Sequence, residues 1–247
     1  MADYDQYAGS RPTVEDMSKD MGLRNFMLGV YAKLAMGLLV TGTLAWVISN
    51  VPAVRDYFFV MQGDRVTNLT MLGQIARWAP LVIILATMFI RTFSPATSGL
   101  LYWTIVTLIG VSGAMWFLIY QLGDIANIFF ITASAFGALS LYGYTTKRNL
   151  SGWGIFLFMG AWGVFILMLG NALFFQNELF RVAIAAIGVL IFAAFTAFDT
   201  QNLKMSYYQI GGNQTAMAVA TNIGALNFYL NFINMFQLLL SIFGGRR

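Results

Sequence analysis

Cysteine and histidine are both absent from the 247 residues. That double absence excludes disulfides, thiolate chemistry, His-ligated haem, zinc sites built on His or Cys, and the imidazole pH switch. Any proton-linked behaviour must therefore come from carboxylates. Charge is scarce as well: Asp, Glu, Lys and Arg make up 10% of the chain, against about 25% in an average soluble domain. Hydrophobic residues reach 59%, and this balance is that of a membrane protein. The alternating pattern of an outer-membrane barrel is also missing, so helices must do the spanning. The net charge of +4 comes from Lys and Arg residues scattered singly between apolar runs, where they anchor helix ends. They form no patch of the kind that binds nucleic acid; the lipid bilayer is the expected partner.

Residues 1–25 mix Asp3, Asp5, Glu15, Asp16 and Asp20 with Arg11, Lys19 and Arg24. A signal peptide would have a basic start and an apolar middle, so this segment is expected to be a solvated tail ahead of one transmembrane domain, residues 26–247. Seven apolar stretches follow: Phe26–Ile48, Ala79–Phe93, Gly99–Tyr120, Ile125–Tyr144, Gly152–Phe175, Val182–Phe198 and Met217–Phe243. The expected fold is an all-α membrane protein with seven transmembrane helices. The second stretch is short and contains Pro80, so its helix is expected to begin earlier, around 69–74. "QGDRVTN" reads as a loop between spans one and two, and "GYTTKRNLSG" as the turn between spans four and five. An N-inside orientation collects Lys147 and Arg148 on the inner side, in keeping with the positive-inside rule. Together with the missing cysteines, this points to a multi-pass protein of a bacterial plasma membrane with its N-terminus in the cytoplasm.

Asp199 is the acidic residue with a full apolar span on its N-terminal side, in "FTAFDTQNLK". An ionisable group at that depth is costly and usually faces the bundle interior with a partner. Spans two and six run in the same direction, so Arg91 and Asp199, each at the C-terminal end of its span, are expected in the same leaflet. The alternative reading leaves Asp199 hydrated in the headgroup zone. In the last span Gly224, Asn227, Asn231 and Asn234 fall on one helical face. That face serves either as hydrogen-bonding glue between helices or as the lining of a polar path, and both uses place the helix inside the bundle. A carboxylate with several amides is a ligand set that a hard cation accepts, so Asp199 is a candidate for weak, transient calcium contact with no resident cofactor.

Enzymatic classes fit poorly. An aspartyl intramembrane protease needs two embedded carboxylates and a rhomboid-like one a Ser with a His, so no catalytic residue is expected. A retinal protein needs a Lys in the last span, and the four lysines are Lys19, Lys33, Lys147 and Lys204.

Five ordered blocks, "LRNFMLGVYAKLAMGLLVTGTLAWVI", "SPATSGLLYWTIVTLIGVS", "FFITASAFGALSLYGYTTKRNLSGWGIFLFMGAWG", "FDTQNLK" and "ALNFYLNFINMF", resemble the Bax inhibitor-1 family. The resemblance implies a last helix surrounded by two layers of three, and a passive, pH-modulated calcium leak. In that family an Asp in "FDTQ" shares a proton with an Asp in the last helix, and an Arg ending the second helix pairs with them in the closed state. Asp199 and Arg91 match the first and third of these positions. The second is Asn231, since the chain reads "FYLNFIN" where relatives read "LYLDFIN". An amide cannot share a proton in that way, so the pore is expected to stay closed to lower pH than in a two-Asp relative. The alternative implied by the resemblance is a non-channel partner of a membrane-anchored AAA protease in membrane-protein quality control, contacted through the acidic tail.

Overall fold

Polar residues at the ends of the apolar runs decide where the helices begin. Asp20, Thr70, Ser94, Asn177 and Asn213 each stand just before a helix and accept from its free backbone N–H groups through a side-chain oxygen. In the computed structural model, which describes residues 20–63, 65–90 and 92–245, the resulting helices are α1 (Met21–Asn50), α2 (Met71–Thr87), α3 (Pro95–Ile119), α4 (Leu122–Thr145), α5 (Gly154–Gly170), α6 (Glu178–Ile210) and α7 (Gln214–Phe243). A 3₁₀ turn, Ser151–Trp153, leads into α5, and a π-type turn, Asn171–Phe175, extends it. Gly211, at φ +60°, ends α6 in the left-handed conformation that glycine adopts without steric penalty.

Among the described residues six helices are long and apolar enough to cross a bilayer: α1, α3, α4, α5 with its flanking turns, α6 and α7. Helix α2 has 17 residues and is shorter. It begins at Met71, eight residues before the apolar run at Ala79, because Thr70 caps it: the Thr70 hydroxyl accepts from Gly73 N–H at 3.2 Å and donates to the Tyr57 carbonyl at 2.6 Å. The segment expected to be a loop is a β-hairpin. Strand β1 (Phe59–Gln62) pairs antiparallel with β2 (Arg65–Leu69), and Gly63 at φ +61° opens the turn. Phe59 is buried against Ile48 and Ala114, so the hairpin folds onto the end of the bundle.

Helix α1 packs on α3, which carries α2; α4 packs on α6, which carries α5; α7 touches α1, α3, α4 and α6. The core therefore gathers along α7, where Phe228, Tyr229, Phe232, Met235 and Phe236 are buried with Tyr102, Ile105 and Phe136. Both ends of the structure fasten this helix. At one, the Arg181 guanidinium of α6 donates to the Ser241 carbonyl at 2.7 Å, a cation at a helix C-terminus, and Asp124 accepts from Gly245 N–H at 2.7 Å. The tail at 1–19, the proposed contact for a protease, lies outside the described residues.

Close approach of α4 and α6 depends on Gly143, where a Cβ would stand 2.2 Å from the Ala197 carbonyl oxygen. The obstacle is backbone, so no rotamer change relieves it. Gly143→Val is expected to cost about 2–3 kcal/mol, lowering Tm by roughly 5–10 °C in detergent, as followed by circular dichroism.

Candidate functional site

The stretch from Asp199 to Lys204 is helical throughout, because α6 runs on to Ile210 instead of stopping near Phe198. Asp199 thus sits inside a 33-residue helix, just past the apolar run that ends at Phe198. The extension is made favourable by what four of these side chains reach. Asp199, half-buried, accepts through Oδ2 from Asn231 Nδ2 of α7 at 2.6 Å. Thr200, fully buried, meets the Ser140 hydroxyl of α4 at 2.9 Å. Gln201 accepts from Leu150 N–H at 2.7 Å and donates to the Arg148 carbonyl at 2.8 Å, pinning the turn between α4 and α5. Lys204 is 3% exposed and donates to the Tyr144 carbonyl at 2.8 Å, one residue from the end of α4.

Thr200 also extends a line of hydroxyls. Its own proton goes to the Thr196 carbonyl at 2.7 Å, which leaves Ser140 as donor to Thr200 and Tyr31 of α1 as donor to Ser140. Three helices are linked in this way through groups that each have an acceptor, the condition for burying polar atoms without a desolvation penalty.

Asp199 and Asn231 are brought together, as the resemblance to the Bax inhibitor-1 family implied. Among the described residues the ion pairs are Arg55 with Asp56 and Arg181 with Glu178, and Lys204 turns to α4 instead of to Asp199. Arg91, the expected partner of Asp199, lies outside the described residues. The polar stripe on α7 divides. Gly224 is buried and faces Leu203 of α6, Asn231 is buried, Asn234 is half-buried and Asn227 is exposed. The four side chains spread over roughly 80° of the helix, and the packing of α6 covers only one edge of that arc.

A buried amide that the stripe does not include is Asn222, about 160° round the helix from Gly224. Its Nδ2 donates to Ser98 Oγ at 2.9 Å and to the Pro95 carbonyl at 3.0 Å, while its Oδ1 accepts from Lys33 Nζ. Lys33 also lies 5.1 Å from the Tyr102 ring centroid, within cation–π range. Lys33 was readable as a lone lysine inside the first apolar run, and such a residue needs an acceptor on a neighbouring helix. Asn222→Leu is expected to cost roughly 2–3 kcal/mol, since it removes the acceptor of the Lys33 ammonium. Asn227→Leu should stay within about 0.5 kcal/mol. Thermal unfolding of the two variants side by side measures the difference.

The sequence pattern of the family described as "Inhibitor of apoptosis-promoting Bax1" matches residues 23–247. An uncharacterised protein of Caulobacter vibrioides is 52% identical over 243 residues, covering 98% of this chain and 97% of its own length. Inner membrane protein YbhL of Escherichia coli is 39% identical over 227 residues, 92% of this chain and 94% of its own. An uncharacterised protein of Rickettsia prowazekii is 37% identical over 236 residues, 95% of each chain. Matches of this extent run through every helix from α1 to α7 and include the Asp199 segment, and they make the chain a member of the Bax inhibitor-1 family of membrane proteins.

Proposed function

We propose that the protein is a passive cation leak, with calcium as its cargo, in which Asp199 is the charged control point. The observation that carries this reading is the 2.6 Å contact between Asp199 and Asn231, a carboxylate held by an amide between two spanning helices. Asn227 lies one turn before Asn231 and is exposed. An amide there, well inside a spanning helix, needs water or a polar neighbour, because hydrocarbon cannot satisfy it. Asn227, Asn231 and Asp199 then form a short polar ladder from the surface of the bundle to its interior. Carboxylate and amide oxygens are the ligands calcium prefers, and a single carboxylate suits passage better than retention.

In this reading α2 is the seventh span. Its first turns, with Arg77 and Trp78, stand in the interface, and its apolar run continues from Ala79 to Ile90. Helix α2 packs chiefly on α3 and the hairpin, so few neighbours restrain its movement. Arg91, a few residues beyond its end, supplies the cation that closes on Asp199, and the path opens when that contact is lost. The location is a bacterial inner membrane, by analogy with the Escherichia coli relative named for that membrane, with the N-terminus in the cytoplasm.

Purified protein in calcium-free liposomes is expected to pass calcium faster than protein-free liposomes, with the flux rising as pH falls. Asp199→Asn should abolish the pH dependence. Equal flux with and without protein rejects the leak. A second prediction concerns the amide. Asn231→Asp places two carboxylates side by side, and such a pair takes up a shared proton that Asp199 with Asn231 does not hold. Its flux profile is therefore expected to move to higher pH, and superimposable profiles reject the role given to Asn231.

A further inference from the structure

At the end of the bundle where α1, α3 and α7 finish, a cavity of about 270 Å³ opens between the hairpin, the start of α2, the end of α3 and the end of α7. Its walls are largely apolar, with Phe59, Met115, Trp116 and Leu240 among them. Among the described residues that line it, Arg77 is the charged one, and Gln237 stands on the α7 side. Both are exposed. The Arg77 guanidinium rests 5.5 Å from the ring centroid of Trp78 and makes no ion pair with any described residue.

The chemistry of this lining selects its occupant. A permanent guanidinium repels cations and takes a phosphate or carboxylate through paired N–H groups. The apolar remainder gives a small soluble anion nothing to match. An amphiphile with an anionic head satisfies both parts, and the place suits one, because Trp116 and Tyr120, at the C-terminal end of α3, line it as aromatic residues do at a membrane interface. The volume is near the lower end of the roughly 300–1,000 Å³ usual for ligand clefts, enough for a headgroup and the first part of a chain. Gly73 keeps the cleft's shape: a Cβ there would stand 2.1 Å from the Phe58 carbonyl oxygen, so the hairpin and α2 meet backbone to backbone along one wall.

We propose that this cleft binds an anionic phospholipid, with its phosphodiester on Arg77 and Gln237 and the upper part of one acyl chain against Trp116, Met115 and Leu240. The site is separate from Asp199 and independent of calcium passage.

The test uses the full-length protein exchanged into nanodiscs of phosphatidylcholine with a minor fraction of phosphatidylglycerol, with retained lipid counted by native mass spectrometry. Wild type is expected to retain one phosphatidylglycerol with about tenfold preference over phosphatidylcholine, the worth of one charge-assisted contact. Arg77→Gln should lose that preference. Arg65→Gln, which alters a hairpin arginine outside the lining, should keep it. Excess inorganic phosphate should leave the bound lipid in place; its displacement by phosphate would identify a free-anion site and overturn the proposal. Should Arg77→Gln misfold, Ser112→Phe fills the cavity with Arg77 intact, and undiminished retention in that variant also overturns it. Lipid counting is blind to ion flux, so this outcome and that of the leak assay are read apart.

Discussion

One and a half turns of α6, from Asp199 to Lys204, tie this helix to α4, to the turn that follows α4 and to α7. The physical constraint is that a bilayer offers no water to satisfy polar groups, so the buried and half-buried ones in this stretch find partners on neighbouring elements. Asp199 finds its partner on α7, Thr200 and Lys204 on α4, and Gln201 in the turn that follows α4. These contacts fix the rotation of α6 about its own axis. A rotation of one residue, about 100°, would break all of them together. Specificity of packing therefore comes from polar side chains, while the many Phe, Leu and Ile residues supply area that would accept several helix orientations.

The same rule explains why α7 occupies the interior. Its amides and small residues need neighbours on more than one side, and they receive them from α6 through Asn231 and from α1 and α3 through Asn222. Aromatic packing then fills the space between these two attachment points. Tyr31 stacks on Phe228, Phe136 meets Phe228 and Phe232 edge to face, and Trp116 meets Phe236 in the same manner. Tyr229 adds a polar tie by donating to Thr41, which in turn donates to the Val106 carbonyl. The bundle is thus sewn at several depths, and the ties of Asn222 and Tyr229 join α7 to helices distant in sequence.

Much of this was legible from residue order. Six of the expected spans appear as long apolar helices, the amide stripe put the last helix inside the bundle, and the meeting of Asp199 with Asn231 was implied by the family resemblance. What escaped was set by tertiary partners. Helix α6 runs past the apolar stretch that ends at Phe198 because Asp199, Thr200, Gln201 and Lys204 each find a partner, which residue order does not reveal. Lys204 reads as an interfacial anchor by position, yet it is buried, since the C-terminal carbonyls of α4 lie within its reach. The stripe Gly224, Asn227, Asn231, Asn234 was a correct helical face but not a uniformly buried one, because periodicity cannot say how wide an arc a neighbour covers. The hairpin did leave a signal in "FVMQ" and "RVTNL" on either side of Gly63, two short β-prone runs flanking a glycine turn.

The length of α6 has a mechanical consequence. Its 33 residues extend about 50 Å, well beyond the roughly 30 Å hydrocarbon layer, so it either tilts steeply or leaves several turns standing in the headgroups and water. Those turns continue directly from Lys204 without a proline or glycine until Gly211. A rigid rod of this kind carries torque: any push on its outer end at Tyr207 or Tyr208 is delivered, through unbroken backbone, to the carboxylate lodged in the membrane.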